Sequence, residues 1–281
     1  MQELKAIALN FSYKDSSLSD MFYAENIFKK MEELWGMDAF DEELIYLRGF
    51  NLEKNKEYLK AKEIYSFLLK KYPKSLYFDE VTFKLGIIST YALRDPKSGR
   101  EYFNKLADKK PVTSYSLSSL YQLGLLKQWE GDFSSAKGYY NKLIDGSQGN
   151  FEDIVEPAKE RLKESEESAS LEHNLKTFMD VALKKEFFGL NMSKIDLNSN
   201  FYRPAKDAGV EISASVYLSS SGCFNVEIQY LWSGDLGGAK PNIREPGFKA
   251  SYKNEGTKVI GLVLVSPSGI TDYAFDLIDA Q

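Results

Sequence analysis

A chain of 281 residues is long enough for two domains, each with its own core, and 43% apolar with 27% charged residues is an ordinary globular balance. The formal charge of −5, with lysines dispersed among glutamates, excludes the concentrated basic face that nucleic-acid binding needs. Apolar runs such as Val259–Val265 fall far short of the roughly 20 residues that span a bilayer. The opening MQELKAIALNF reads as helix and lacks a basic-then-apolar-then-small leader, so the numbered chain is expected to be a mature form or an excised piece.

From the N-terminus onward the chain repeats itself. Small residues recur at Ala24, Ala61, Gly99 and Ala136, spaced 37, 38 and 37 apart. An aromatic follows four residues on (Phe28, Tyr65, Phe103, Tyr140), then Met31, Leu68, Leu106 and Leu143 three later, with Pro73 and Pro111 as stops. Upstream of each unit lies a helix marked by Gly49, Leu85-Gly86 or Leu123-Gly124. A glycine on the first helix of a hairpin admits the second helix closely. The aromatic, one turn beyond the small residue, is expected to fill the gap between hairpins.

These residues resemble the tetratricopeptide repeat: Gly49 with Ala61, Tyr65 and Pro73, and Leu123-Gly124 with Gly131-Asp132, Ala136 and Tyr140. The stretch LLKKYPKSLYFDEVTFKLG (68–86) is similar to the longer-looped repeats of bacterial envelope proteins. Arg48, where an apolar residue is usual, and Gly99, in place of alanine, depart from the pattern. The resemblance implies an α-solenoid of helical hairpins over residues 3–168, with 151–168 as a capping helix. It also implies a concave groove. Tyr46 and Phe50, Phe83 and Ile87, and Tyr121 and Leu125 would form successive ridges there, suited to a partner's helix or extended segment. The alternative is that the chain's own helices cover part of this strip.

Around 164–170 the chain turns polar and acidic (ESEESAS), a helix end or linker. Residues 174–188 then place Leu175, Phe178, Met179, Ala182 and Leu183 on one stripe, a connecting helix within 169–190. Beyond 191 the period becomes two. Val210, Ile212, Ala214 and Val216 alternate with polar residues, as do Val226, Ile228, Tyr230 and Trp232. Ile260, Leu262 and Leu264 share a face of a third strand, and Tyr273, Phe275 and Leu277 a face of a fourth. Turns at Ser221-Gly222, Gly237-Gly238, Asn254-Glu255-Gly256 and Pro267-Ser268-Gly269 make a β-sandwich the default for 191–281. The fold class is therefore α + β in two domains, a solenoid followed by an immunoglobulin-like sandwich. Within that sandwich Trp232, Gly234, Asp235, Tyr252, Gly256, Thr257 and Gly269 resemble the polycystic-kidney-disease (PKD) module, though the Trp–Gly stretch is one residue short and Lys258 replaces an aromatic. Such modules imply a periplasmic or cell-surface location.

Catalytic patterns are missing from the sequence. His173, the single histidine, sits in the polar junction, and Cys223, the single cysteine, reads as a buried thiol in a strand; together they exclude His/Cys metal sites and Cys/His catalysis. Asp41-Glu42-Glu43 and Glu164-Glu166-Glu167 read as helix starts and solvated faces rather than paired catalytic carboxylates. Gly234-Asp235-Leu236-Gly237-Gly238 lacks the Gly-Lys-Ser/Thr and following helix of a phosphate loop. Asp235 and its neighbours do not follow an EF-hand spacing for calcium. The expected function is a non-catalytic scaffold or adaptor, without cofactor or metal, holding another protein of a bacterial envelope assembly in its groove. The alternative is a carbohydrate- or peptidoglycan-binding accessory protein, with exposed aromatics of the sandwich as the platform.

Overall fold

The computed structural model describes residues 1–12, 16–184, 193–197, 201–202, 209–216 and 227–280. Val226 and Cys223, and the predicted turn at Ser221-Gly222, lie outside them. The chain groups into two compact units, Met1–Tyr102 and Phe103–Gln281.

The first unit holds α1 (Gln2–Asn10), α2 (Leu18–Trp35), α3 (Glu42–Lys54), α4 (Tyr58–Lys71) and α5 (Phe78–Ile87). A π-helical turn over Ile88–Ala92 leads into α6 (Pro96–Ala107), which crosses the boundary between units. Local chemistry sets these starts. Ser17 and Asp20 form a reciprocal capping box on α2, and the Asp41 carboxylate accepts the Leu44 amide at 3.0 Å on α3. The acidic run 41–43 is thus a helix start, as its sequence suggested. Ala24, Phe28, Met31, Ala61, Tyr65 and Leu68 are all fully buried in one core with Ile45, Val81 and Leu85.

Tyr65 departs from expectation in an instructive way. Its ring lies across Gly49 of its own hairpin: a β-carbon at 49 would sit 2.5 Å from Cδ1 and Cε1. Its hydroxyl donates to Glu53 at 2.8 Å, one turn further along α3. The aromatic therefore locks the two helices of one hairpin rather than filling the gap between hairpins.

Arg48 has an equally specific reason. It is a buried cation between α2 and α3, paired bidentately with Glu25 (3.0 and 3.1 Å) and with Glu32 at 2.8 Å.

The second unit contains the remainder of α6, then α7 (Ser114–Trp129), α8 (Phe133–Ser147), α9 (Glu152–Glu166) and α10 (His173–Leu183), followed by seven strands. The α7–α8 hairpin repeats the lock: Tyr140 covers Gly124 and donates to Gln128 at 3.0 Å. The strands are β1 (Ser193–Leu197), β2 (Phe201–Tyr202), β3 (Val210–Val216), β4 (Gln229–Gly234), β5 (Gly247–Ala250), β6 (Gly256–Ser266) and β7 (Gly269–Ala280). They form two sheets, ordered β1-β3-β5 and β2-β7-β6-β4. All pairs are antiparallel except β2 with β7. Ile195, Val210 and Ile212 from one sheet meet Trp232, Ile260, Leu262, Leu264 and Ile278 from the other in a single sandwich core.

The outer face of the larger sheet is also covered. Phe178 of α10 packs edge-on against Tyr273, with ring centroids 6.4 Å apart. Close approach there requires Gly261, whose β-carbon would lie 2.9 Å from the Phe178 ring. The face carrying Tyr273, Phe275 and Leu277 is therefore not part of the sandwich core, which takes Ala274, Ile278 and Ala280 from this strand instead. With both faces covered, β6 is buried from Gly256 to Leu264.

Candidate functional site

Five of the six residues expected in the groove are buried: Tyr46, Phe50, Phe83, Ile87 and Leu125 are each no more than 2% exposed. In the first unit Tyr46 and Phe50 stack at 6.3 Å, and Tyr46 stacks on Tyr77 at 4.0 Å. An ion network that the sequence did not disclose threads through them. The Lys84 ammonium, fully buried, lies 3.3 Å from both Glu53 and Glu80 and 4.8 Å above the Phe50 ring. Tyr46 donates its hydroxyl to Glu80. Glu53, Glu80 and Lys84 had the look of a solvated helix face. One signal was available: Glu53 lies four residues after Gly49, as Gln128 does after Gly124, so both repeats hold a polar acceptor where the tyrosine hydroxyl arrives.

Tyr121 differs from the other five. It remains partly exposed, and it lines a cleft of about 640 Å³ in the second unit. One wall is α9, through Glu156, Pro157, Glu160 and Arg161, continued by Asn174 and Leu175 at the start of α10. The facing wall is the segment after β4, Gly234 to Pro241, together with Ser251–Lys253. That loop is fixed from within. Asp235 accepts the Val259 amide at 2.7 Å, Tyr252 donates its hydroxyl to the Asp235 carbonyl at 2.7 Å, and Gly234, Gly237 and Gly238 all take left-handed φ. The Gly-rich motif is thus a structured cleft wall.

The electrostatics of the cleft are those of a desolvated, carboxylate-bordered surface. Burial, with Asp235, Glu164 and Glu160 nearby, pushes the Tyr121 phenol well above the ordinary tyrosine range, so it stays a protonated hydrogen-bond donor. Desolvation likewise raises the Asp235 carboxyl against the pull of Lys258, and raises Glu164 against Arg161, which pairs with it at 2.9 Å. His173 is exposed at the first position of α10. Among the described residues, no group of three His, Cys, Asp or Glu side chains is placed to hold a metal ion. No described helix is long and apolar enough to cross a membrane. The cleft can donate and accept hydrogen bonds over a partly apolar floor, which is chemistry for holding a ligand.

Comparison with curated proteins yields no match. The family model for the tetratricopeptide repeat matches residues 43–75 and 118–145. These two segments fall on the α3–α4 and α7–α8 hairpins, whose Gly49–Tyr65 and Gly124–Tyr140 locks are superimposable in sequence register, and the chain carries tetratricopeptide repeats at both.

Proposed function

We propose that this chain is a non-catalytic protein-binding scaffold that takes a segment of its partner into the Tyr121 cleft. One observation carries the reading: of the six inner-helix positions expected to line a groove, Tyr121 is the one not fully buried, and it borders a cleft with a second wall from the β-sandwich. Tetratricopeptide hairpins support protein–protein interaction in general, and a cleft of this size suits an extended segment of a few residues. The finer reading is a bacterial envelope assembly in the periplasm or at the cell surface. It is supported by the likeness of 68–86 to envelope-type repeats and of the Trp232–Gly269 motif to PKD modules. The carbohydrate reading needs an exposed indole, and Trp232 is 1% exposed, with its ring edge-on to Phe248 at 5.1 Å.

A photoreactive phenylalanine analogue placed at position 121 tests the proposal in the native organism. A discrete protein adduct, absent when the analogue is placed at exposed Glu167, is expected. Adducts of equal yield from both positions, or none from 121, would overturn the cleft reading. Fractionation of the same cells tests the compartment.

A further inference from the structure

Helix α9 begins without a cap of its own. Its N-cap is Phe151, held at φ 62°, whose side chain can accept nothing. The missing acceptor comes from the β-sandwich, 101 residues away: the Asp153 amide donates to Asn254 Oδ1 at 3.1 Å. The favour is returned, since Asp153 Oδ2 accepts the backbone amides of Lys253 (2.7 Å) and Asn254 (2.8 Å) at the turn before β6. Lys258, 3% exposed, adds its ammonium to the same carboxylate at 3.4 Å. A second fastening joins the same two walls through Asn174, whose amide donates to the Trp232 carbonyl at 3.0 Å. Behind that fastening, α10 is anchored by apolar packing of Phe178 on the sheet. The Asp153 fastening is polar.

The geometry points to a clasp: Asp153 and Asn254 close one end of the Tyr121 cleft, and releasing them lets α9, together with the α7–α8 hairpin it packs on, shift from the sandwich about the α10 anchor, widening the cleft. These are positioning residues, and the inference rests on the cleft described above. Each wall is otherwise braced on its own side, α9 by its buried Ile154, Val155 and Ala158 and its packing on α7 and α8, and the 234–241 loop by Asp235 and Tyr252. Relative movement is therefore concentrated where charged and amide groups meet, bonds that water can replace.

The test needs no ligand, so its failure is distinct from failure of the binding proposal. Spin labels at positions 156 and 240, exposed residues on opposite walls, are introduced on a Cys223→Ser background, and their distance distribution is measured in the full-length chain. Asp153→Ala should lengthen and broaden the distribution, and should raise hydrogen exchange at the Lys253 and Asn254 amides by about tenfold or more. Glu152→Gln, which breaks only the exposed pair with Lys253 (2.7 Å), should do neither. Asn254→Ala provides the second variant should Asp153→Ala not fold, because it uncaps α9 while leaving the carboxylate in place. An unchanged distribution in a folded Asp153→Ala or Asn254→Ala protein would overturn the clasp. So would an equal response to Glu152→Gln.

Discussion

Gly124→Ala is the sharpest probe of the hairpin lock. A β-carbon at 124 would stand 2.4 Å from Tyr140 Cε1 and 2.8 Å from Cδ1 and Cζ, so the ring must retreat by about 1 Å to reach ordinary contact. Retreat is hard, because Tyr140 is fully buried and its hydroxyl is held by Gln128 at 3.0 Å. Overpacking of this kind costs about 1–3 kcal/mol, and loss of the buried hydrogen bond about 1 more. Against this, replacing a mid-helix glycine with alanine returns about 1 kcal/mol of helix propensity. The net expectation is a loss of about 1–3 kcal/mol. Gly138→Ala is the matched control, an exposed position within α8 where an added β-carbon meets nothing within 4 Å. It keeps the propensity gain without the clash and should stabilise by up to about 1 kcal/mol. Equilibrium urea denaturation followed by tryptophan fluorescence and far-UV dichroism reads both variants. If Gly124→Ala proves as stable as Gly138→Ala, the ring does not rest on α7 and the hairpin geometry is wrong. Adding Tyr140→Leu should recover the propensity gain at 124, and a simply additive double mutant would count against the contact.

Arg48→Ala should cost about 3–5 kcal/mol by stranding Glu25, whose side chain is 7% exposed. Arg48→Met with Glu25→Leu should recover most of that in thermal melts, and a double mutant no better than the single would mean the pair is not the source of the loss. Asp235 carries a pH signature. Its folded pKa is raised, so between the ordinary carboxylate value and that raised value the folded chain binds more protons than the unfolded one; stability therefore falls as pH rises through the window and is regained as pH is lowered. Asp235→Asn should remove this contribution, and an unaltered slope of melting temperature against pH above the ordinary carboxylate value would show that the group is not desolvated as described.

The repeat was legible because its signal is periodic and local, down to an irregularity. The small residues are spaced 37, 38 and 37, and the odd residue falls between Gly86 and Gly99, where the other repeats have an interval one shorter. The structure absorbs it as the π turn Ile88–Ala92, with the Leu93 amide reaching back to the Ile88 carbonyl at 3.0 Å. The same insertion explains why glycine replaces alanine at 99. A β-carbon there would fall 1.9 Å from Thr90 Oγ1, a hydroxyl itself bonded to the Gly86 carbonyl at 2.8 Å. A spacing anomaly and a residue anomaly, separate in the sequence, are one event in the backbone.

The buried charges and the cleft were not legible, for a different physical reason. Periodicity reports which face of a helix is apolar; it cannot report that Glu53 and Glu80 are balanced out of water by Lys84 and Lys54, since each alone has the pattern of a surface residue. Nor does any local rule pair Asp153 with Asn254. What the sequence does hold is a deficit: a helix beginning at Glu152 behind Phe151 has no hydroxyl, amide or carboxylate at its cap position. Buried or half-buried amides do not stay unpaired, so an uncapped helix start is a demand for a distant acceptor. Here the demand is met by the turn before β6, and the element that meets it also carries Lys253 onto the facing wall of the cleft. The sandwich thus acts on the Tyr121 cleft twice, as its second wall and as the cap that holds the first wall in position.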